Sequence, residues 1–261
     1  MIVGGCLNRV LAIDIGNTSV GGGVVSGGGV ANASRFSGSK SRDDREAWLR
    51  EMLDGKPVDR VQGCSVVPAE RAEWSEVLEH VSSAPVSWLH AGSRLGVDVL
   101  YPAPETLGAD RLANVAGAHV REPGPAIIVD MGTAITFDVV SAEGFVGGLI
   151  APGGPLMLRA LHQNTAQLPA MDWRKTDRVI GRSTEEAMAI GADRGCRALV
   201  DGLVKELREA LGGGDAVTVF ATGGNAEMIL RDSEETYRFE PHLTLIGLAA
   251  VAAREPGADS A

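Results

Sequence analysis

Cysteine is scarce. Cys6, Cys64 and Cys196 are the three in 261 residues, widely spaced and without a C-x-x-C pair. That excludes a disulfide framework or a zinc cluster as the organising element and suits a reducing, cytoplasmic setting. The five histidines form no H-x-x-x-H pair, and aromatics make up only 4% of the chain. The core must therefore be packed from small aliphatic side chains. No apolar run approaches the ~20 residues of a transmembrane helix. The N-terminal MIVGGCLNRV lacks the basic start of a signal peptide and reads as a short extension before the first strand. Positive charge is short as well: 24 Lys and Arg against 34 Asp and Glu give a net charge of −10. Nucleic acid and anionic membranes are thereby disfavoured as partners, whereas an anionic small molecule needs only a locally basic pocket. Neither G-x-x-x-x-G-K-[ST] nor G-x-G-x-x-G occurs. The Gly-rich stretch 21–30 reads as a loose hairpin instead of a phosphate loop.

What the chain does have is a motif used twice. Asp14-Ile15-Gly16-Asn17-Thr18 follows one apolar run, and Asp130-Met-Gly132-Thr133 follows another. An apolar run ending in such a turn reads as a buried strand entering a hairpin. Gly lets a phosphate approach the backbone amides, and the threonine hydroxyls can donate to phosphate oxygens. The two aspartates repel phosphate and make sense only with a cation, or water ordered by one, between them. Two copies imply two similar half-domains sharing one nucleotide.

Spacing and breakers place the other elements. Strands are expected at 10–15, 61–67, 97–101, 126–130 and 217–221, with a hairpin over 134–141 and 145–150. Helices are expected over 44–53, capped by Ser41 with Asp44, over 69–81 after Pro68, and over 107–120. Others follow over 155–168, from the Ser183/Glu186 cap to about 211, from Asn225, and over 243–254. Alternating strands and helices imply sheets covered by helices. The Pro/Gly turn at 121–125 sets the expected boundary, giving half-domains 1–121 and 122–261.

In its ordered motifs the chain resembles the type III pantothenate kinases, relatives of acetate and sugar kinases, Hsp70 and actin. The shared features begin with the first Asp-x-Gly turn, Ser65-Val-Val-Pro68, and Tyr101 with Pro104 before Gly108-Ala109-Asp110-Arg111. They continue through Asp130-Met-Gly-Thr-Ala134, Thr136-Phe-Asp138, Gly147-Gly148, Ala151-Pro-Gly153 and Gly181-Arg-Ser-Thr184, to Thr222-Gly-Gly224 and Leu245-Ile-Gly-Leu248. The resemblance implies an α/β fold of two ribonuclease H-like half-domains, each a mixed sheet covered by helices, with the active site in the cleft between them. It implies ATP-dependent phosphorylation of pantothenate to 4′-phosphopantothenate, the entry step of coenzyme A synthesis. ATP would be held by Asp14, Ile15, Gly16, Asn17, Thr18, Ser19, Val20, Gly21 and Thr133, with adenosine near Thr222-Gly-Gly224. Asp110 would be the general base, and Tyr101, Gly108, Ala109, Asp110, Arg111 and Thr184 would contact pantothenate. Mg²⁺ would accompany ATP, and Asp130 would help bind a monovalent cation, potassium or ammonium. A homodimer is also implied, with the apolar helix 243–253 or the stretch 187–207 as interface.

Three positions depart from the family pattern. Ser34-Arg35-Phe-Ser-Gly38 replaces Trp-Arg-x-x-Thr, Ala103 precedes Pro104 where Asn is usual, and Met131 stands for Phe. A regulatory, transcription-related protein and a kinase of another small alcohol are the competing readings; the intact Asp14, Asp110 and Asp130 favour the enzyme. The tetrapeptide Gly-Ala-Asp-Arg recurs at 191–194. Lying inside a helical run, that copy is expected to be structural, with Asp193→Asn nearly silent.

Overall fold

In the computed structural model, residues 9–37, 41–212, 217–233 and 235–255 are described. Cys6, Gly38 and most of the N-terminal extension lie outside them. The chain forms two compact units. The first comprises the described residues up to Pro123, Glu143–Val146 and the segment from His242 on; the second comprises Gly124–Ala142 and Gly147–Pro241.

The first unit carries a five-stranded sheet in the order β3-β2-β1-β4-β5. Its strands are β1 (Val10–Ile15), β2 (Val20–Ser26), β3 (Gly29–Phe36), β4 (Arg60–Ser65) and β5 (Val86–Trp88). β1 runs antiparallel to β2 and parallel to β4. The side-chain period of two splits β1 between two faces. Leu11, Ile13 and Ile15 enter a core with Leu49, Met52, Trp74 and Leu78 from α1 (Arg42–Leu53) and α2 (Pro68–Ser82). Asp14 is thereby turned to the opposite face.

The caps act as expected. Ser41 accepts from the Asp44 N–H at 3.2 Å, and Pro68 occupies the first turn of α2. The Gly-rich stretch is an ordered hairpin turning at Gly27 and Gly28, not a loose one. Its Gly22 lies inside β2, where a Cβ would strike Met52, Ile13 and Trp48.

On the other side α3 (Ala109–Arg121) packs against α7 (Leu243–Ala252), which also lies on β1 and β4. A Cβ on Gly247 would collide with the carbonyl of Ala113, so the two backbones meet almost directly. Thr244 Oγ1 donates to Asn114 Oδ1 at 2.7 Å. Leu243, Leu248 and Val251 are fully buried, each contributing about 1.5–3 kcal/mol. Packing therefore draws the last helix back to the first unit, which a single cut after residue 121 does not allow. The same burial takes the large apolar side chains of 243–253, offered above as a candidate dimer interface, into the core of the first unit.

The second unit repeats the plan in the order β8-β7-β6-β9-β10. Its sheet is built of β6 (Ala126–Met131), β7 (Ala134–Val140), β8 (Phe145–Pro152), β9 (Thr218–Thr222) and β10 (Arg238–Phe239). β6 is antiparallel to β7 and parallel to β9, as β1 is to β2 and β4. Ile127, Val129, Met131 and Phe137 pack against Cys196, Val200 and Val204 of α5 (Thr184–Ala210). The remaining helices are α4 (Gly154–Gln163) and the short α6 (Ala226–Leu230).

The expectation for α4 ran to 168. The helix stops five residues earlier, where the side chains of Asn164 and Thr165 bond back to the carbonyls of Ala160 and Leu161. The expected strand at 97–101 is absent. A single bridge pairs Val99 with Phe145, and Leu100 donates to the Phe145 carbonyl at 2.9 Å. β5 and β10, three and two residues long, were too short to leave a period-two signal. No helix among the described residues is long and apolar enough to cross a membrane.

Candidate active site

The first turn is four residues long, 16–19, between β1 and β2. The Gly16 N–H donates to the Ser19 carbonyl at 3.1 Å, and Arg35 from β3 donates to Ser19 Oγ at 3.2 Å. Asn17 and Thr18 are exposed. The side chains of Ile15 and Val20 are in the core, so only their backbones can serve a ligand. Gly21 pairs with Asp14 across the hairpin. From the parallel side, Cys64 Sγ–H donates to Asp14 Oδ1 at 3.2 Å.

The second turn, 132–133, is two residues shorter and more tightly held. Gly132 N–H donates to the Ala134 carbonyl at 3.0 Å. Asn225 donates its side-chain amide to the Gly132 carbonyl and its backbone N–H to the Met131 carbonyl, both at 2.9 Å. The Gly153 N–H donates to the Thr133 carbonyl at 3.0 Å. Thr133 is exposed, and half-buried Asp130 stands in register with Thr136 and Thr222. The Thr222-Gly-Gly224 turn presses on Asp130. Gly223 has φ +94°, and a Cβ there would lie 2.5 Å from Asp130 Oδ1. Both the backbone angle and the space require glycine.

Asp110 sits in the first turn of α3, after Gly108 at the N-cap. The Arg111 N–H donates to Asp110 Oδ1 at 2.8 Å. A Cβ on Gly108 would lie 2.5 Å from the same oxygen, so the carboxylate is folded back over a residue with no side chain. Burial raises the Asp110 pKa, and the hydrogen bond and charge of Arg111 only partly oppose it. A carboxyl tuned upward beside a cation has the attributes of a general base for an alcohol on an anionic substrate. Arg111 is itself buried, its guanidinium 6.0 Å from the centre of the Phe145 ring. Phe145 also receives the backbone of the segment before half-buried Tyr101. It thus joins that segment to Arg111. Ala109 opens the helix, and Thr184 is exposed at the first position of α5 beside the Ser183 cap.

Cys64, Phe145 and Asn225 were not singled out from the sequence. Asn225 had a signal, since it directly follows the Gly-Gly turn before a helix, but its side chain braces the Gly132 carbonyl instead of capping α6. Among the described residues no group of three or more His, Cys, Asp or Glu could hold a metal ion. Asp14 and Asp130 offer one carboxylate each. Asp14 belongs to the first unit and Asp130 to the second, and a single carboxylate of either suits a Mg²⁺ bound mainly through nucleotide phosphates, which asks only one or two carboxylates of the protein.

A family model described as type III pantothenate kinase matches residues 10–206. A type III pantothenate kinase of Parafrankia sp. (strain EAN1pec) is 41% identical over 246 residues, covering 93% of this chain and 96% of that one. One from Akkermansia muciniphila is 44% identical over 205 residues, 78% of this chain and 82% of that one. A ROK family glucokinase from Streptomyces griseus, solved with glucose and AMPPNP, superposes with a TM-score of 0.55 at 12% identity, covering 95% of this chain and all of that one. This last likeness speaks for the fold alone, two sheets of one topology. With matches of this length and identity, the chain belongs to the type III pantothenate kinase family.

Proposed function

We infer that this chain transfers the γ-phosphoryl group of ATP to the primary hydroxyl of pantothenate, giving 4′-phosphopantothenate and ADP. The observation that carries the reading is the near full-length likeness to type III pantothenate kinases; the geometry at Asp110 suits the chemistry. Phosphoryl transfer is mostly positioning and charge stabilisation. Asp110 accepts the hydroxyl proton as the oxygen–phosphorus bond forms, and its raised pKa brings its basicity nearer to that task. Arg111 pairs with the pantothenate carboxylate; Tyr101, Gly108, Ala109 and Thr184 complete the substrate contacts. The exposed amides and hydroxyls of Asn17, Thr18 and Thr133 hold phosphates, the other residues of 14–21 shape the first turn, and Thr222-Gly-Gly224 receives adenosine. Bound Mg²⁺ offsets phosphate charge. Asp130 holds potassium or ammonium, whose weak geometric demands suit a single carboxylate. The protein acts in the cytoplasm as a homodimer. With the large apolar side chains of α7 buried within the first unit, the dimer face is the exposed side of α5, where Ala187, Gly191, Ala198 and Gly202 are at the surface.

The test is ADP release from folded protein with ATP, Mg²⁺ and pantothenate, against a panel of other small alcohols. Release specific to pantothenate, and faster when potassium or ammonium replaces sodium at constant ionic strength, is expected. Release with another alcohol alone would move the substrate. No release with any would favour the regulatory reading.

A further inference from the structure

The second Gly-Ala-Asp-Arg tetrapeptide does more than fill a helix. Asp193 is 2% exposed, in the middle of α5. Its carboxylate accepts four hydrogen bonds. Thr176 donates its N–H and its hydroxyl to Oδ2, each at 2.9 Å. Arg231 donates to Oδ1 at 3.1 Å and to Oδ2 at 2.6 Å. Burial alone would raise the Asp193 pKa, but Arg231 and the two Thr176 donors overcome it and hold the carboxyl ionised.

The two partners belong to different parts of the candidate site. Thr176 lies on the irregular strap 164–183, which ends at the Ser183 cap and Thr184. Beyond Thr176 the strap is fastened to the same helix by Arg178 to Glu186 at 3.0 Å, by Arg194 to the Arg178 carbonyl at 3.0 Å and by the Arg182 N–H to Glu186 at 2.8 Å. Before Thr176, the indole of Trp173 lies over Gly154, where a Cβ would have no room. The neighbouring Gly153 N–H holds the Thr133 carbonyl. Arg231 follows α6, whose other end is the Gly223–Asn225 segment that meets Asp130 and the Gly132 carbonyl. One carboxylate therefore ties the strap leading to Thr184 to the helix leading from the nucleotide-side turn.

We propose that Asp193 is a positioning residue for the reaction, fixing Thr184 and the Thr222–Asn225 segment relative to one another through Thr176 and Arg231. The proposal rests on the kinase reading above, in which Thr184 contacts pantothenate. It replaces the expectation that Asp193→Asn is silent. Asn keeps the size but loses the charge that holds Arg231 and one of the acceptors that Thr176 and Arg231 share. The strap end then shifts on the scale of an ångström, which can cost roughly ten- to a hundredfold in a site that works by positioning.

The experiment is steady-state kinetics of wild type, D193N, T176V and V200A, each with its Tm. D193N should raise the KM for pantothenate about tenfold or more while kcat falls less. T176V, which removes one hydroxyl from the strap side and leaves Asp193 and Arg231 paired, should raise the same KM by a smaller factor. V200A trims a fully buried side chain of the same helix and should lower Tm while leaving KM unchanged. A pantothenate KM within twofold of wild type in D193N, or an equal rise in V200A, would overturn the proposal and leave the kinase reading standing. Wild-type protein inactive on pantothenate would overturn both.

Discussion

Gly-Ala-Asp-Arg occurs at 108–111 in the first unit and at 191–194 in the second, and the two copies have opposite electrostatics. At the first, the helix begins, Asp110 is folded over Gly108, and burial raises its pKa. At the second, the helix is eight residues old, and Asp193 is pinned by Arg231 and Thr176 with its pKa lowered. The following arginines differ too. Arg111 is buried beside Phe145, whereas Arg194 holds the Arg178 carbonyl. A four-residue string thus fixes neither protonation nor role. Position along a helix and the partner arriving from elsewhere in the chain decide both.

The largest test of this contrast is Asp110→Asn. It keeps the shape and removes the proton acceptor, so kcat should fall roughly 10²- to 10⁴-fold with ATP affinity nearly unchanged. Isothermal titration with a non-hydrolysable ATP analogue separates the two quantities. A mutant turning over within tenfold of wild type would remove Asp110 as the base. Next in size is Gly108→Ala. The new methyl would occupy the space of Asp110 Oδ1, so the carboxylate must turn away, and kcat should drop roughly tenfold or more. An unchanged kcat would mean that the folded-back position is not the working one.

A third effect is smaller and concerns pH. Asp110 has a folded pKa above its ordinary value of 3.8. Such a group contributes stability that is fully present below the unfolded pKa and is lost as pH rises through the raised folded pKa. At neutral pH the ionised carboxylate is therefore a liability, and Asp110→Asn should gain Tm relative to wild type as pH rises across that window. Thermal melts of both proteins near pH 4 and at pH 7 read it. A difference in Tm that stays constant or narrows with pH would contradict the raised pKa. In the wild type the acid limb of kcat/KM should sit above the ordinary aspartate range for the same reason.

Legibility in the sequence followed the same line. Runs with a strong period or a cap were readable: β1 and β6 from apolar runs, α1 and α5 from Ser41 and Ser183, α2 from Pro68. The repeated Asp-x-Gly turns led to two sheets of one topology. The sequence was silent where long-range contact decides. α7 returns to the first unit because Gly247 admits the backbone of Ala113, a fact about two residues more than a hundred positions apart. The segment 97–101 has strand-like composition but finds only Phe145 to bridge with. The place of Asp110 at the start of α3 was legible from the Gly before it, but the bracing of the second turn by Asn225 and the capture of Asp193 by Arg231 depend on partners that no local pattern announces.

The smallest expected effect returns to the second tetrapeptide and decides what covers it. Gly191 is exposed in the middle of α5, and a Cβ there would meet nothing within 4 Å. On a helix face open to water, Gly191→Ala should stabilise by about 0.5–1 kcal/mol, because alanine has less backbone freedom to lose. On a face covered by a second copy, the added methyl intrudes where small residues let two helices approach, and the association weakens instead. The homodimer proposed above uses this face, so the expected result is a weaker dimer by sedimentation across a dilution series, with Tm that falls at low protein concentration. The corresponding change at the first tetrapeptide, Gly108→Ala, should leave the association unchanged while impairing turnover. If Gly191→Ala raises Tm and leaves the assembly state as it was, the exposed face of α5 is in water, and the dimer, if one forms, uses another surface.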